Sequence, residues 1–167
     1  TQFDQIKTHL YINRGIASDG TVTFEEIPES ETGILPIYNG KTGGKGHNWV
    51  SAGDYNNDGY VDIIMTGFDD CARPESEHPE DAVRVVYLYK NINGERFELQ
   101  SSPLKGGGAF HGETDGSVCF SDLDGDGWLD IMSSGYGLSR NSELHIYWNN
   151  GNGTFTESDQ TFLGVND

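Results

Sequence analysis

A nine-residue motif occurs twice in this chain and restricts how the backbone can run around it. In both copies, residues 54–62 and residues 122–130, the first, third, fifth and ninth positions are Asp or Asn and the sixth is Gly. Alternate side chains of a tight loop can converge on one point, and a glycine with φ > 0 turns the chain sharply enough to close the loop. The motif therefore predicts a folded-back loop whose side-chain oxygens surround a common centre.

The oxygen-rich composition of the motif predicts a site for a hard divalent cation. Ca²⁺ takes roughly six to eight oxygen ligands from carboxylates, amides and backbone carbonyls. The carbonyls of Tyr60 and Trp128, at the seventh position of each copy, are expected to add a backbone ligand. A plain surface turn is the alternative, because Asp, Asn and Gly are ordinary turn residues. Repetition of the full spacing favours two calcium sites.

An EF-hand uses a related spacing, but the residues after each motif do not fit it. An EF-hand needs a Glu at the twelfth position and a helix on each side, whereas Met65 and Ser133 occupy that position here. Residues 61–66 and 129–133 are mostly apolar and rich in β-branched side chains, which predicts short buried strands. The sequence therefore argues against a calcium sensor of the EF-hand type.

The motif belongs to a longer repeat, because its two copies lie 68 residues apart and the same elements follow each one. A strand-like segment ends in Tyr-x-Asn at Tyr89 and at Tyr147, and a glycine turn then leads to Phe97 and to Phe155. Residues 10–24 form a partial copy without the motif. The copies differ mainly by an insertion between the motif and Tyr89.

Each complete copy predicts four antiparallel strands. Residues 47–52 and 117–121 lead into the motif, residues 61–66 and 129–133 leave it, residues 83–91 and 144–149 carry Tyr-x-Asn, and a Phe strand follows the hairpin turn. Repeated four-stranded antiparallel sheets are the blades of a β-propeller. We therefore predict an all-β chain with no helix of any length.

The predicted propeller is incomplete. The chain, residues 1–167, is interpreted as one partial propeller region with a trailing half-blade (1–32), a blade with the first motif (33–102) and a blade with the second (103–167). A closed ring usually needs about four to eight blades. We therefore expect a fragment of a larger propeller, or a chain that associates with other subunits to complete one.

The composition restricts the partners. With 27 Asp and Glu against 10 Lys and Arg, the formal net charge is −17. Nucleic acid is not expected as a partner, since binding phosphates needs a basic surface. No apolar run approaches the roughly 18 residues of a membrane-spanning helix, so no membrane insertion is expected.

The rest of the sequence contains no known catalytic motif. A nucleophile elbow, a zinc signature and a P-loop are all absent from it. The five histidines lack metal-ligand spacing and are interpreted as solvated or structural: His9, His47, His78, His111 and His145. Cys71 and Cys119 could form a disulfide, although Cys119 also reads as a small buried hydrophobe. Exposed aromatics such as Trp49, Phe68 and Tyr136 could stack on sugars, but packing within the blades is the expected role.

Residues 53–64 and 121–132, each followed by Tyr-x-Asn and Gly-x-Phe elements, resemble the FG-GAP/VCBS repeat family, whose members include integrin-α-type β-propellers and many secreted bacterial proteins. The family loop binds Ca²⁺. The resemblance thus implies two Ca²⁺ sites, with ligands at Asp54, Asn56, Asp58, Tyr60 and Asp62, and at Asp122, Asp124, Asp126, Trp128 and Asp130. Residues 66–68 and 134–136 differ from the Gly-Ala-Pro of integrin repeats, so the likeness is closer to VCBS-type repeats.

Three functions are compatible with these patterns. The first is a non-enzymatic, calcium-stabilised binding or adhesion module, secreted or at the cell surface, with a protein or carbohydrate ligand and structural Ca²⁺. The second is the propeller portion of a secreted polysaccharide-active enzyme, an alternative that rests on the family resemblance alone. The third is an architectural subunit of a larger assembly.

Overall fold

The computed structural model describes residues 8–34, 49–69, 83–137, 141–159 and 162–163 of the 167-residue chain. Within these ranges the strands form three antiparallel sheets, which confirms the all-β prediction. The helix found there is a single turn, α1 (Glu29–Thr32), which was not predicted and which ends at Gly33 with a φ of 71°. None of the described residues belongs to a helix long and apolar enough to cross a membrane.

The partial copy at the start of the chain forms a hairpin of β1 (Leu10–Ile16) and β2 (Val22–Ile27). Most of its side chains are exposed, including large apolar ones such as Ile16, at 75%, and Phe24, at 63%. The hairpin is a two-stranded sheet by itself, and its assignment as a half-blade stays a prediction.

Each complete copy forms a sheet whose first four strands are neighbours in chain order. The first of these sheets contains β3 (Trp49–Gly53), β4 (Asp62–Asp69), β5 (Val83–Ile92) and β6 (Arg96–Leu99). The second contains β7 (Thr114–Ser121), β8 (Asp130–Tyr136), β9 (Ser142–Asn149) and β10 (Phe155–Glu157). A short strand that was not predicted, β11 (Phe162–Leu163), follows β10 along the edge of β9. The first predicted residues of β3, 47 and 48, lie outside the described residues.

The three copies share one strand register. Asn13 pairs with Phe24 in the hairpin, Asn91 with Phe97 in the first four-stranded sheet, and Asn149 with Phe155 in the second. The Tyr-x-Asn and Phe elements of the sequence therefore mark equivalent positions in space. The copies that repeat in the sequence therefore also repeat in the structure. The boundaries between the copies, at residues 32 and 102, stay predictions.

The two larger sheets pack face to face around a shared core. Its buried side chains come from both sheets and from the segment between them: Tyr55, Ile64, Val86, Leu88, Phe110, Val118, Ile131, Tyr147 and Phe155. The two repeats lie close together at Gly53, where an added Cβ would lie 2.8 Å from Leu129 Cδ1. A second cluster around Met65 and Tyr89 covers the other face of the first sheet. The described strands close no ring, so the propeller stays a proposal.

Candidate metal centre

Each copy of the motif forms the connection between the first two strands of its sheet. Residues 54–62, the first loop, join β3 to β4, and residues 122–130, the second loop, join β7 to β8. The two loops lie side by side. The side-chain amide of Asn57 donates to the Gly127 carbonyl at 3.2 Å, and that of Asn149 donates to the Tyr55 carbonyl at 2.8 Å.

The first Asp of each loop holds the turn by accepting backbone N–H groups from the far side. Asp54 accepts from Asp58 at 3.0 Å and from Gly59 at 2.8 Å. Asp122 accepts from Gly127 at 3.1 Å in the same way. The φ angles of Gly59 and Gly127 are 89° and 87°, which confirms the predicted left-handed turn at the sixth position.

A second left-handed residue occurs at the fourth position of each loop and was not predicted. Asn57 has a φ of 55° and Gly125 a φ of 79°. Asn and Gly are the residues that adopt this conformation most readily. The residue types at this position were therefore the signal that could have identified it.

The ninth position is buried and connects the loop to its sheet. Asp130 is 1% exposed, and its two carboxylate oxygens accept the N–H groups of Leu123, at 2.9 Å, and Asn149, at 2.8 Å. Asp62 accepts equivalent bonds from Tyr55 and Asn91. Each carboxylate thereby binds both the start of the loop and the third strand of the sheet.

Burial changes the proton affinity of this position in the first loop. It raises the pKa of Asp62 to about 6, although the hydrogen bonds from Asn91 and Tyr55 act in the opposite direction. The nearby carboxylates of Asp58 and Asp54 raise this pKa as well. A cation in the loop would favour the ionised form of all three side chains.

The second loop brings three carboxylates together. Three carboxylate oxygens lie within 4.8 Å of one another, one each from Asp122, Asp124 and Asp130. Asp126 is not part of this group, and one of its oxygens accepts the Trp128 N–H at 2.8 Å. The donors are oxygens only, which suits Ca²⁺ better than a soft transition metal.

One protein-family model matches the part of the chain that begins with the second loop. The model of the FG-GAP-like repeat matches residues 122–167, from the first Asp of the second loop onward. Residues 122–167 are thus similar in sequence to an FG-GAP-like repeat. The resemblance predicted from the sequence is thus confirmed for this part of the chain. Comparisons with curated proteins and with solved structures give no match.

The first loop has the same backbone bonds as the second loop but a different charge. Its third position is the amide Asn56, and no group of three carboxylates comes together there among the described residues. The ammonium group of Lys90 lies 3.3 Å from Asp58 Oδ2. The first loop therefore offers a cation one carboxylate fewer and already contacts a positive side chain.

The aromatic residues at the seventh position pack over the hairpin turn between the third and fourth strands. In the first repeat, an added Cβ on Gly94 would lie 3.6 Å from the Tyr60 ring. In the second repeat, an added Cβ on Gly151 would lie 3.1 Å from the Trp128 ring. The backbone N–H groups of Tyr60 and Trp128 are bound by Asp58 and Asp126, while ligation by their carbonyls stays a prediction.

Two expectations about isolated side chains are wrong. Trp49 is 53% exposed and Tyr136 is 46% exposed, so neither is buried within the sheets. Cys119 is only partly buried on β7, and Cys71 lies outside the described residues. The side chain of Phe68 also lies outside them.

The histidines were interpreted as lacking metal-ligand spacing, but the fold brings two of them together. Three possible ligand atoms lie within 4.8 Å of one another, one each from His111, His145 and Glu157. His111 precedes β7, His145 lies on β9 and Glu157 ends β10. No local spacing connects these positions, so only the sheet pairing could reveal the cluster. His47 and His78 lie outside the described residues.

Proposed function

We propose that this chain is a calcium-stabilised binding module built from β-propeller blades and acting outside the cell. The observation that carries the proposal is the convergence of Asp122, Asp124 and Asp130 in the second loop. Three carboxylates this close repel one another in the absence of a counter-ion. Ca²⁺ would neutralise them and hold the connection between β7 and β8.

A structural role for the cation is supported by the surroundings of the loops. Asp130 and Asp62 are buried and hydrogen-bonded to neighbouring strands, so the loops are anchored in rigid sheets. A switch needs an element with two arrangements. The anchoring favours a cation that stabilises one arrangement.

The propeller architecture is supported by the packing of the sheets and by the exposed hairpin. Neighbouring repeats stack face to face with their loops at the same end. The apolar side chains of β1 and β2 are exposed in the described residues, and such a surface is characteristic of an interaction site. Further strands of a propeller would cover it.

A location outside the cell is supported by the design of the loops. Both loops are short and largely exposed, with ligands from one segment each. If these loops share the dissociation constants of extracellular calcium modules, about 10⁻⁴–10⁻³ M, they would fill only where calcium is abundant.

The ligand is proposed to be a protein or a carbohydrate, and the exposed aromatic rings favour the carbohydrate. Trp49 begins β3 and Tyr136 ends β8, so both lie at the ends of their sheets away from the loops. Exposed aromatic side chains offer flat apolar faces with a polar edge, which suits stacking on sugar rings. Trp49→Ala should weaken binding to a polysaccharide panel, whereas Val50→Ala, at the exposed neighbouring residue, should not. Depolymerisation of a polysaccharide would instead favour the enzyme alternative.

Calorimetric titration with Ca²⁺ tests the metal sites. The chain should bind two ions, Asp122→Ala should remove one site, and Asp54→Ala the other. Asp159→Ala, which removes an exposed carboxylate outside both loops, should keep both sites. Absence of calcium binding, or two sites in all three variants, would contradict the proposal.

A further inference from the structure

The cluster of His111, His145 and Glu157 lies away from both calcium loops, on the face of the second sheet that meets the first. His145 is stacked beside the core residue Tyr147, two positions along β9. Glu157 Oε1 lies 3.0 Å from His145 Nδ1 and 3.3 Å from His111 Nε2. Two imidazole nitrogens and one carboxylate oxygen therefore lie within 4.8 Å of one another.

The second nitrogen of His145 faces carboxylates on its other side. His145 Nε2 lies 3.3 Å from Glu143 Oε2 and 3.6 Å from Glu113 Oε1. A metal-ligating histidine characteristically donates its other ring N–H to a carboxylate, which fixes the tautomer and strengthens the ligand. With the Nε2 proton held there, the Nδ1 lone pair of His145 would face Glu157.

Glu113 supports this assignment independently. Its side chain is fully buried, at 0% exposure, in a core that is otherwise mostly apolar. One carboxylate oxygen accepts the Ser133 hydroxyl at 3.3 Å, while the other has no hydrogen-bond partner. A buried carboxylate is costly unless positive charge lies nearby. A divalent cation next to His145 would supply that charge.

We propose that His111 Nε2, His145 Nδ1 and the Glu157 carboxylate bind one zinc ion. Two histidines and one carboxylate form an established ligand type for Zn²⁺, with water at a fourth position. The nitrogen donors separate this site from the oxygen-only calcium loops. The ion would join the segment before β7 to β9 and β10.

One side-chain rotation completes the site. The His111 and His145 rings are stacked, with centroids 4.5 Å apart and planes 6° apart, so their in-plane lone pairs run side by side. The His111 side chain is 54% exposed and can turn, while the His145 side chain is 17% exposed and is held by its neighbours. Rotation of the His111 ring would direct both lone pairs toward the same ion.

A purely hydrogen-bonded cluster is the competing explanation, and zinc titration separates the two. The full chain without an affinity tag is first saturated with Ca²⁺ to fill the loops and then titrated with Zn²⁺. One equivalent should bind, and Co²⁺ in its place should give the visible absorption of a tetrahedral site. The hydrogen-bonded cluster predicts no saturable binding.

Matched variants locate the ion. His111→Ala, at an exposed position, should abolish zinc binding, while His9→Ala, at an exposed histidine 2.6 Å from Glu26, should leave it intact. Glu143→Gln should weaken binding by about 10-fold, through loss of the carboxylate that orients His145. Asp122→Ala should not change it. Equal binding by the His111→Ala variant, or loss of zinc in the Asp122→Ala variant, would overturn the proposal.

Discussion

Asn149 binds Asp130 and the residue before it, and both bonds, which Asn149 donates, hold the second loop against the third strand of its sheet. Asp130 Oδ1 accepts the Asn149 N–H at 2.8 Å, and Asn149 Nδ2 donates to the carbonyl of Leu129 at 2.9 Å. Asp62 and Asn91 repeat this arrangement in the first loop. The ninth position thus has a structural role that does not depend on a cation.

Asn149→Ala should lower the free energy of unfolding by about 3 kcal/mol, because it removes the donor to two carbonyls, those of Leu129 and Tyr55. Asn91→Ala should cost about 1 kcal/mol, since Asn91 Nδ2 donates to one carbonyl, in a more exposed position. Urea denaturation of both variants measures the difference. Equal losses would contradict the importance of the bond from Asn149 to the Tyr55 carbonyl of the first loop.

The strands of the two larger sheets could be predicted from the sequence because their signals are local. Apolar runs next to the motif and the turn after Tyr-x-Asn placed β4, β5, β8 and β9. The partnership of Asp130 with Asn149 could not be predicted, since it depends on sheet register across 19 residues. β11 was missed because two residues carry no periodic pattern.

Lys90→Met should raise the calcium affinity of the first loop by roughly fivefold. The substitution removes a positive charge 3.3 Å from Asp58 Oδ2, and such a charge is worth about 1 kcal/mol in water. Calorimetry at low salt in an Asp122→Ala background, where the first loop is the remaining site, measures the change. Lys105→Met, at an exposed lysine outside both loops, serves as the control and should have no effect.

Glu113→Gln should change how stability depends on pH. Burial raises the pKa of Glu113 to about 7 from its ordinary 4.5, despite the opposing effects of His145 and Ser133. The folded chain keeps this proton where the unfolded chain loses it. The stability contributed by the protonated side chain is therefore complete below the unfolded pKa and disappears as the pH rises through about 7.

Urea denaturation in chelator, from about pH 5 to about pH 8, measures this effect. The Glu113→Gln variant should become more stable than the parent as pH rises, by up to about 3 kcal/mol. Glu95→Gln, at an exposed glutamate, should follow the parent curve. A constant difference between the Glu113→Gln variant and the parent would show that Glu113 does not titrate in this range.

The two kinds of candidate site also differ in whether they could be predicted from the sequence. The calcium loops could be predicted because all their side chains come from nine consecutive residues. The cluster of His111, His145 and Glu157 could not, because its members lie on three separate elements. They are brought together only by the pairing of β9 with β10 and by the path of the segment before β7, which contains His111.

Gly53→Ala should destabilise the chain by about 1 kcal/mol, because the new methyl group would lie 2.8 Å from Leu129 Cδ1 and 3.2 Å from the Phe120 ring, and both side chains would have to shift. Thermal denaturation measures the loss. Ala52→Ser, at the exposed neighbouring position, should be nearly neutral. A neutral Gly53→Ala would mean that the two sheets do not pack as closely as described.

Thermal unfolding in chelator and in Ca²⁺ tests the central claim most directly. Calcium at roughly 50 times the dissociation constant should add about 2 kcal/mol per site, which corresponds to a rise of about 10 °C in melting temperature for two sites. The double variant Asp54→Ala/Asp122→Ala should show no rise. If the parent chain melts at the same temperature in chelator and in millimolar Ca²⁺, the loops are ordinary turns and the account of a calcium-stabilised module is wrong.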